Sequence, residues 1–305
     1  MVSLDDGTEP IGDQAAELPP IHGLLPSTLI DWPGRIASIL FLPFCNLRCG
    51  YCHAGDLLEP AGDEVIPFAG IREHLESSRD WIDGVVVCGG EPTLHATLPN
   101  LCRALQDLGV GVKLDSNGTR PDVLAQLIAS GLVDAVSMDL KTTLDARMVK
   151  LAGTDVDLEA IERSIDLLLD AAHLPAGDHT DGCQQRSHGT GDVGARPAWS
   201  EPSRGAGPEP SAAQAGLEVE FRTTCCPACV DREVVEWIAR RIARGGPQTV
   251  AHAGAGNVSY VLQRFEPAHC LDPSYREIKP YSIGEMEALL EAARRIYPHT
   301  RLRGG

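Results

Sequence analysis

Three cysteines, Cys45, Cys49 and Cys52, fall within eight residues in the spacing C-x-x-x-C-x-x-C, directly after an apolar run. Three thiolates on one tight loop suit a single metal site. Structural zinc generally takes four protein ligands, whereas an iron–sulfur cubane held by three cysteines keeps one iron open to a further ligand. A zinc knuckle completed by His53 and chance clustering are the plainer alternatives at this point. Tyr51, inside the loop, is a flat ring that a purine can pack against.

Other chemically capable residues follow later apolar runs. Val87-Cys88-Gly89-Gly90-Glu91-Pro92 pairs two glycines, which let a ligand approach the backbone, with a carboxylate; the same string also reads as a turn before a helix. Lys113-Leu114-Asp115-Ser116-Asn117-Gly118-Thr119 ends another run, and Met138-Asp139-Leu140-Lys141 a fourth. In an extended chain Asp139 and Lys141 point to the same side, which suits either a ligand contact or a salt-bridged strand end.

These residues need a frame. Six β-branched runs, Ile36–Phe44, Gly84–Cys88, Gly111–Asp115, Asp134–Leu140, Leu217–Thr224 and Asn257–Phe265, alternate with helix-compatible segments. The helical segments are Ile71–Ser78, Leu98–Leu108, Pro121–Ala129, Leu158–Ala171, Asp231–Ala243 and Ile283–Ile296, and Leu158, Ile161, Ile165 and Leu168 form a clear apolar stripe. Alternating β and α predicts a parallel sheet. Six units are too few for a closed eight-stranded barrel, and the first turn lacks a G-x-G-x-x-G fingerprint. The fold class expected is therefore α/β, an open partial (β/α)6 barrel, with chemistry at the C-terminal ends of the strands. Residues 21–305 are expected to form one domain, preceded by a flexible tail at 1–20. The Gly-, Pro- and Ser-rich stretch 173–216 is expected to be a disordered insertion within it.

With these motifs in register, C-x-x-x-C-x-aromatic-C after a first strand resembles the signature of the radical S-adenosylmethionine superfamily. The resemblance implies a [4Fe–4S] cluster on Cys45, Cys49 and Cys52. It also implies S-adenosyl-L-methionine chelated to the open iron and cleaved reductively to a 5′-deoxyadenosyl radical, so that the cofactor supplies the difficult chemistry. Gly89-Gly90-Glu91 resembles the motif that binds the cofactor's amino group. The Asp115 and Asp139–Lys141 stretches are similar to those of glycyl-radical-activating enzymes. By that resemblance Asp115 neighbours the amine, Asp139 the ribose and Lys141 the carboxylate, and a monovalent cation sits near Asp115, Ser116 and Asp139 in some members.

Ser27–Gly34, Val219–Thr224 and Tyr260–Phe265 narrow the likeness to anaerobic ribonucleoside-triphosphate reductase activating proteins. That implies a glycyl-radical reductase subunit as partner and an electron donor such as flavodoxin or ferredoxin. The alternative is a radical enzyme that modifies a small molecule or a tRNA-related precursor. No residue is assigned as the hydrogen-relaying catalytic group.

Cys225-Cys226-Pro227-Ala228-Cys229 departs from this likeness, replacing the apolar residues expected after Thr224. It reads as a second metal site, which would need Cys183, Cys270 or His188 as helpers, or as buried thiols. Cys88 and Cys102 are expected in the core. His95, His252 and His269 carry no assigned role, and Arg222 reads as a strand-end arginine or a cofactor contact. The net charge of -17 disfavours nucleic-acid binding. The absence of a long apolar run, of a signal-like start and of a disulfide framework points to a cytoplasmic protein.

Overall fold

The computed structural model describes residues 17–60, 65–173, 216–244 and 257–303. Most of the 1–20 tail and of the 173–216 insertion lies outside the described residues, as do Cys183, His188 and His252.

One eight-stranded sheet runs in sequence order: β1 (Gly23–Thr28), β2 (Ala37–Leu42), β3 (Gly84–Gly89), β4 (Gly111–Ser116), β5 (Ala135–Asp139), β6 (Glu218–Cys225), β7 (Val258–Arg264) and β8 (Thr300–Arg303). Strands β2 to β8 are parallel, and β1 lies antiparallel on β2. Strands β1 and β8 are the two edges of the order, so the sheet is an open partial barrel. The six expected strands are β2 to β7, and the two edge strands are additions.

The crossovers carry α2 (Phe68–Ser77), α3 (Leu98–Asp107), α4 (Pro121–Ala129), α6 (Leu158–His173), α7 (Arg232–Ala243) and α8 (Ile283–Arg294). Two short helices, α1 (Gly55–Leu58) and α5 (Ala146–Ala152), follow the cysteine loop and β5. Local sequence sets the helix starts. Pro121 opens α4 within its first turn, the Asp231 carboxylate accepts the Val234 N–H at the start of α7, and Ser282 with Glu285 forms a capping box on α8.

Strand alternation divides the side chains. Val85, Val87, Val112, Leu114, Val136, Met138, Val219, Phe221, Tyr260 and Leu262 face the helices in the main core. The opposite faces of β4, β5 and β6 carry Lys113, Asp115, Ser137, Asp139, Glu220 and Arg222, which hydrogen-bond or ion-pair with one another across the interior. The inner face of β2 and β3 stays apolar, with Ile39 and Val86 packed on Trp32. Trp32 is 1% exposed and donates its indole N–H to Glu218 at 3.1 Å. Gly84 makes room for that ring, since a Cβ there would lie 2.6 Å from it. The Ser27–Gly34 stretch therefore plugs the N-terminal end of the barrel and leaves the C-terminal end for chemistry.

Candidate functional site

A cavity of about 510 Å³ opens at the C-terminal ends of β2 to β6, lined by Cys45, Cys49, Cys52, Tyr51, Gly89, Gly90, Glu91, Asp115, Asp139 and Lys141 among others. Every candidate site residue from the sequence thus reaches one cavity. Arg222 and Cys88 join them; Cys88 is half-buried at its wall, whereas Cys102 is in the core as expected.

The cysteine loop is fixed on several sides. Phe44 adopts a left-handed conformation (φ 66°), takes Leu57 O through its amide at 2.7 Å and accepts the Glu91 N–H at 2.7 Å. The Arg48 guanidinium donates to Cys45 O at 2.6 Å, and the Arg48 amide donates to Ala152 O at 2.6 Å. From the other side the Leu271 and Asp272 amides donate to Cys52 O and Gly50 O, both at 2.9 Å. The Leu47 N–H and the Asn117 side chain approach Cys45 Sγ at 3.4 and 3.9 Å.

The glycine pair is a steric requirement. A Cβ on Gly90 would stand 2.0 Å from Phe44 O, and one on Gly89, at φ +116°, 2.3 Å from Leu42 O. No side chain fits between β2 and β3 here. Glu91 is 0% exposed, and both its oxygens are already engaged. Thr93 N–H, Thr93 hydroxyl and Ser116 hydroxyl donate to Oε1 at 3.1, 2.5 and 2.9 Å, and the Asn117 amide to Oε2 at 2.6 Å. Glu91 therefore ties the end of β3 to the end of β4. Burial pushes its carboxyl above the usual range, with those donors opposing the shift.

Charge is concentrated deeper in the cavity. Arg222 bridges Asp115 Oδ2 at 2.7 Å and Asp139 Oδ1 at 2.9 Å, and Lys141 meets Asp139 Oδ2 at 3.1 Å. Burial works against the Asp139 carboxylate, but Arg222 and Lys141 outweigh it and hold its pKa well below the ordinary carboxylate range. The guanidinium thus lies between the two carboxylates. Asp115 Oδ1 is buried and accepts no hydrogen bond, its nearest cation being Lys113 at 3.5 Å. An acceptor of this kind is costly unless a bound donor completes it.

Cys45, Cys49 and Cys52 all line this cavity, and three cysteine thiolates are the donor set of an iron–sulfur cubane that keeps one iron open. His53 also lines the cavity, with its Nε2 donating to Glu266 O at 2.7 Å. Burial pushes the Cys45 and Cys49 thiols up, so both are protonated until a metal displaces the proton. Tyr51 is 8% exposed and already packs edge-on to Tyr275, with centroids 6.3 Å apart. His95 Nε2 donates to Pro43 O, 2.8 Å away, and His95 is not part of the cavity lining.

Arg222 was legible only in part. Parity puts it inside once Phe221 packs outward, but its carboxylate partners lie 83 and 107 residues away. The usable signal was three charged residues at the ends of adjacent parallel strands, which the register of Asp139 opposite Arg222 brings together.

Comparison with known proteins agrees with this geometry. The Radical SAM superfamily model matches residues 39–174. A Methanocaldococcus jannaschii protein, provisionally named a glycyl-radical enzyme activating enzyme, is 25% identical over 93% of this chain and 95% of its own. A Pyrococcus horikoshii protein provisionally named a GTP 3′,8-cyclase is 33% identical over 40% of each chain. The crystal structure of Streptococcus suis SuiB bound to S-adenosylmethionine superposes with a TM-score of 0.53 at 14% identity, over 87% of this chain and 52% of that one, a likeness of fold alone. No helix of the described residues is long and apolar enough to cross a membrane. The radical SAM family uses a [4Fe–4S] cluster and S-adenosylmethionine, and this chain is similar to it: the family's model matches residues 39–174, and likeness to a protein provisionally named a glycyl-radical enzyme activating enzyme covers 93% of the chain.

Proposed function

We propose that this chain is an activase that generates a glycyl radical on a separate protein, with an anaerobic ribonucleoside-triphosphate reductase as that partner. The observation that carries the reading is the near full-length correspondence with the activating-enzyme relative, 93% of one chain against 95% of the other. The cyclase-like relative covers only 40% of each chain, so it supports the shared cofactor chemistry and not a nucleotide substrate.

In this reading Cys45, Cys49 and Cys52 hold the [4Fe–4S] cluster. Bound together, cluster and S-adenosylmethionine supply a one-electron reductive cleavage that yields a 5′-deoxyadenosyl radical. The chain's own residues position that cofactor. Lys141 offers an ammonium to the methionine carboxylate, and Asp115, in the cavity lining, offers a carboxylate to the amino group. Gly89 and Gly90 bring the end of β3 against β2 and Phe44, so that their backbone lines the cavity. Asp139 faces the ribose hydroxyls as an ionised acceptor, and Tyr51 walls the cavity. Arg222 is a positioning residue that holds Asp139 ionised and aligns it with Asp115, and Glu91 positions Ser116 and Asn117.

The strands open laterally between β1 and β8, which suits a peptide strand entering from a partner subunit. The electron donor in this reading is a small flavodoxin or ferredoxin. The test is anaerobic mixing of the reduced, reconstituted protein with S-adenosylmethionine and the reductase encoded in the same genome. A doublet glycyl-radical signal by electron paramagnetic resonance is expected. Release of 5′-deoxyadenosine with no radical on the reductase would overturn the activase reading while leaving the cofactor chemistry intact.

A further inference from the structure

Cys225-Cys226-Pro227-Ala228-Cys229 replaces apolar residues at the end of β6, and nothing in the site above uses it. The three thiols separate in space. Cys225 is 0% exposed in the main core, whereas Cys226 belongs to a smaller cluster with Tyr51, Leu151, Phe265 and Cys270, against which Cys229 and Tyr275 pack. This cluster sits directly behind the cysteine loop, because Tyr51 lies between Cys49 and Cys52.

Cys226 and Cys229 are a matched pair. They begin and end a tight turn in which the Cys229 N–H donates to Cys226 O at 3.0 Å and the Val230 N–H donates to the same oxygen at 2.8 Å. Residues at the ends of such a turn have Cα atoms within about 7 Å, inside the range a disulfide spans. The Cys229 thiol donates back to Cys226 O at 3.7 Å, which folds its sulfur over the same turn. Cys229 is only half-buried, so one sulfur is open to attack while the other is covered. The turn is anchored by the Thr142 hydroxyl on Cys229 O at 3.0 Å and the Tyr281 hydroxyl on Val230 O at 2.9 Å.

We propose that Cys226 and Cys229 form a reversible dithiol–disulfide couple that exchanges with small-molecule disulfides, next to the Cys45–Cys52 loop. One of the two sulfurs, as thiolate, attacks one sulfur of the incoming disulfide, its proton passing to solvent. The old S–S bond breaks and one thiol leaves. The other sulfur, losing its own proton, then displaces the second thiol from the mixed disulfide. Two protein thiols are thereby oxidised, losing two electrons and two protons, and the incoming disulfide is reduced to two thiols. The inference rests on thiol placement and is independent of the activase reading.

The test uses the full chain with its metal site reconstituted, incubated anaerobically with oxidised glutathione, then alkylated with a maleimide and digested with trypsin. The peptide Thr223–Arg232 reports on Cys225, Cys226 and Cys229 together. It is expected to lose two hydrogens and take one label, on Cys225, and to take three labels after dithiothreitol. C226S and C229S, made singly, should each abolish the two-hydrogen loss while the same protein keeps its thermal transition. Three labels after oxidised glutathione, a disulfide to Cys49, Cys52 or Cys270 instead, or a metal equivalent lost from both variants would overturn the proposal.

Discussion

Replacing Arg222 with methionine removes the guanidinium that joins Asp115 and Asp139 while keeping most of the side chain's apolar length. Arg222 is 12% exposed and makes contacts of 2.7 and 2.9 Å to the two carboxylates. Breaking a buried ion pair by deleting one partner costs about 3–5 kcal/mol, because the survivor is left charged in a poor solvent. Lys141 at 3.1 Å still serves Asp139, and Lys113 at 3.5 Å still serves Asp115, which puts the loss near the lower end, about 3 kcal/mol. At an unfolding entropy of about 2.1 cal/mol/K per residue, that lowers Tm by about 5 °C. The pH dependence has a definite sign. Asp139 is held below its unfolded value, so its contribution in the parent is present above about pH 4 and lost as pH falls further. In the R222M variant the carboxylate has lost its stronger partner, and protonation relieves the penalty. Differential scanning calorimetry of the two proteins should therefore show the largest gap at pH 7.5 and a smaller one at about pH 3. A gap under about 1 °C at neutral pH, or one that widens in acid, would refute the bridging role.

Because Arg222 occupies the space between the two carboxylates, S-adenosylmethionine affinity measured by calorimetric titration should be the same in potassium and tetramethylammonium buffers, and R222M should gain affinity from potassium. Glu91→Gln turns one accepting oxygen into a donor facing the Thr93 and Ser116 or the Asn117 donors. It should destabilise the chain by about 2–3 kcal/mol by urea melt and weaken cluster retention, with Glu91→Asp recovering little because the shorter arm cannot reach both strands. Since burial raises the Cys45 and Cys49 thiols, cluster assembly must expel their protons, and reconstitution yield followed by absorbance should rise between pH 7 and 8.5; a yield falling with pH would contradict protonated ligands.

Much of this was readable from residue order. The parallel strands with strong β-branched runs, β2 to β7, stand where the alternation of apolar segments puts them, since burial on both faces demands such runs. The edge strands were not readable for reasons specific to each. Strand β1 holds Pro26 and exposes Leu25, a pattern that resembles a loop. Strand β8 is Thr-Arg-Leu-Arg, four residues whose arginines are satisfied by Glu220 far earlier in the chain. The candidate site was legible as strand-end motifs, because parallel sheets collect their C-terminal ends on one side. What sequence could not convey was the division of labour within it. Glu91 looks like a ligand-binding carboxylate in its motif, yet its lone pairs are spent on Thr93, Ser116 and Asn117. Arg222 looks incidental, yet it is the cation between Asp115 and Asp139. Both facts depend on contacts between strands and loops separated in the chain.

The central claim is that Cys45, Cys49 and Cys52 hold the cluster whose reduction cleaves S-adenosylmethionine in the strand-end cavity. The most direct measurement is 5′-deoxyadenosine formed by the reconstituted, dithionite-reduced chain, quantified by liquid chromatography beside C49A. Product from the parent chain, with none above background from C49A, is the expected result. Equal amounts from the two proteins, or none from a parent chain shown to contain a reduced cluster, would contradict the account.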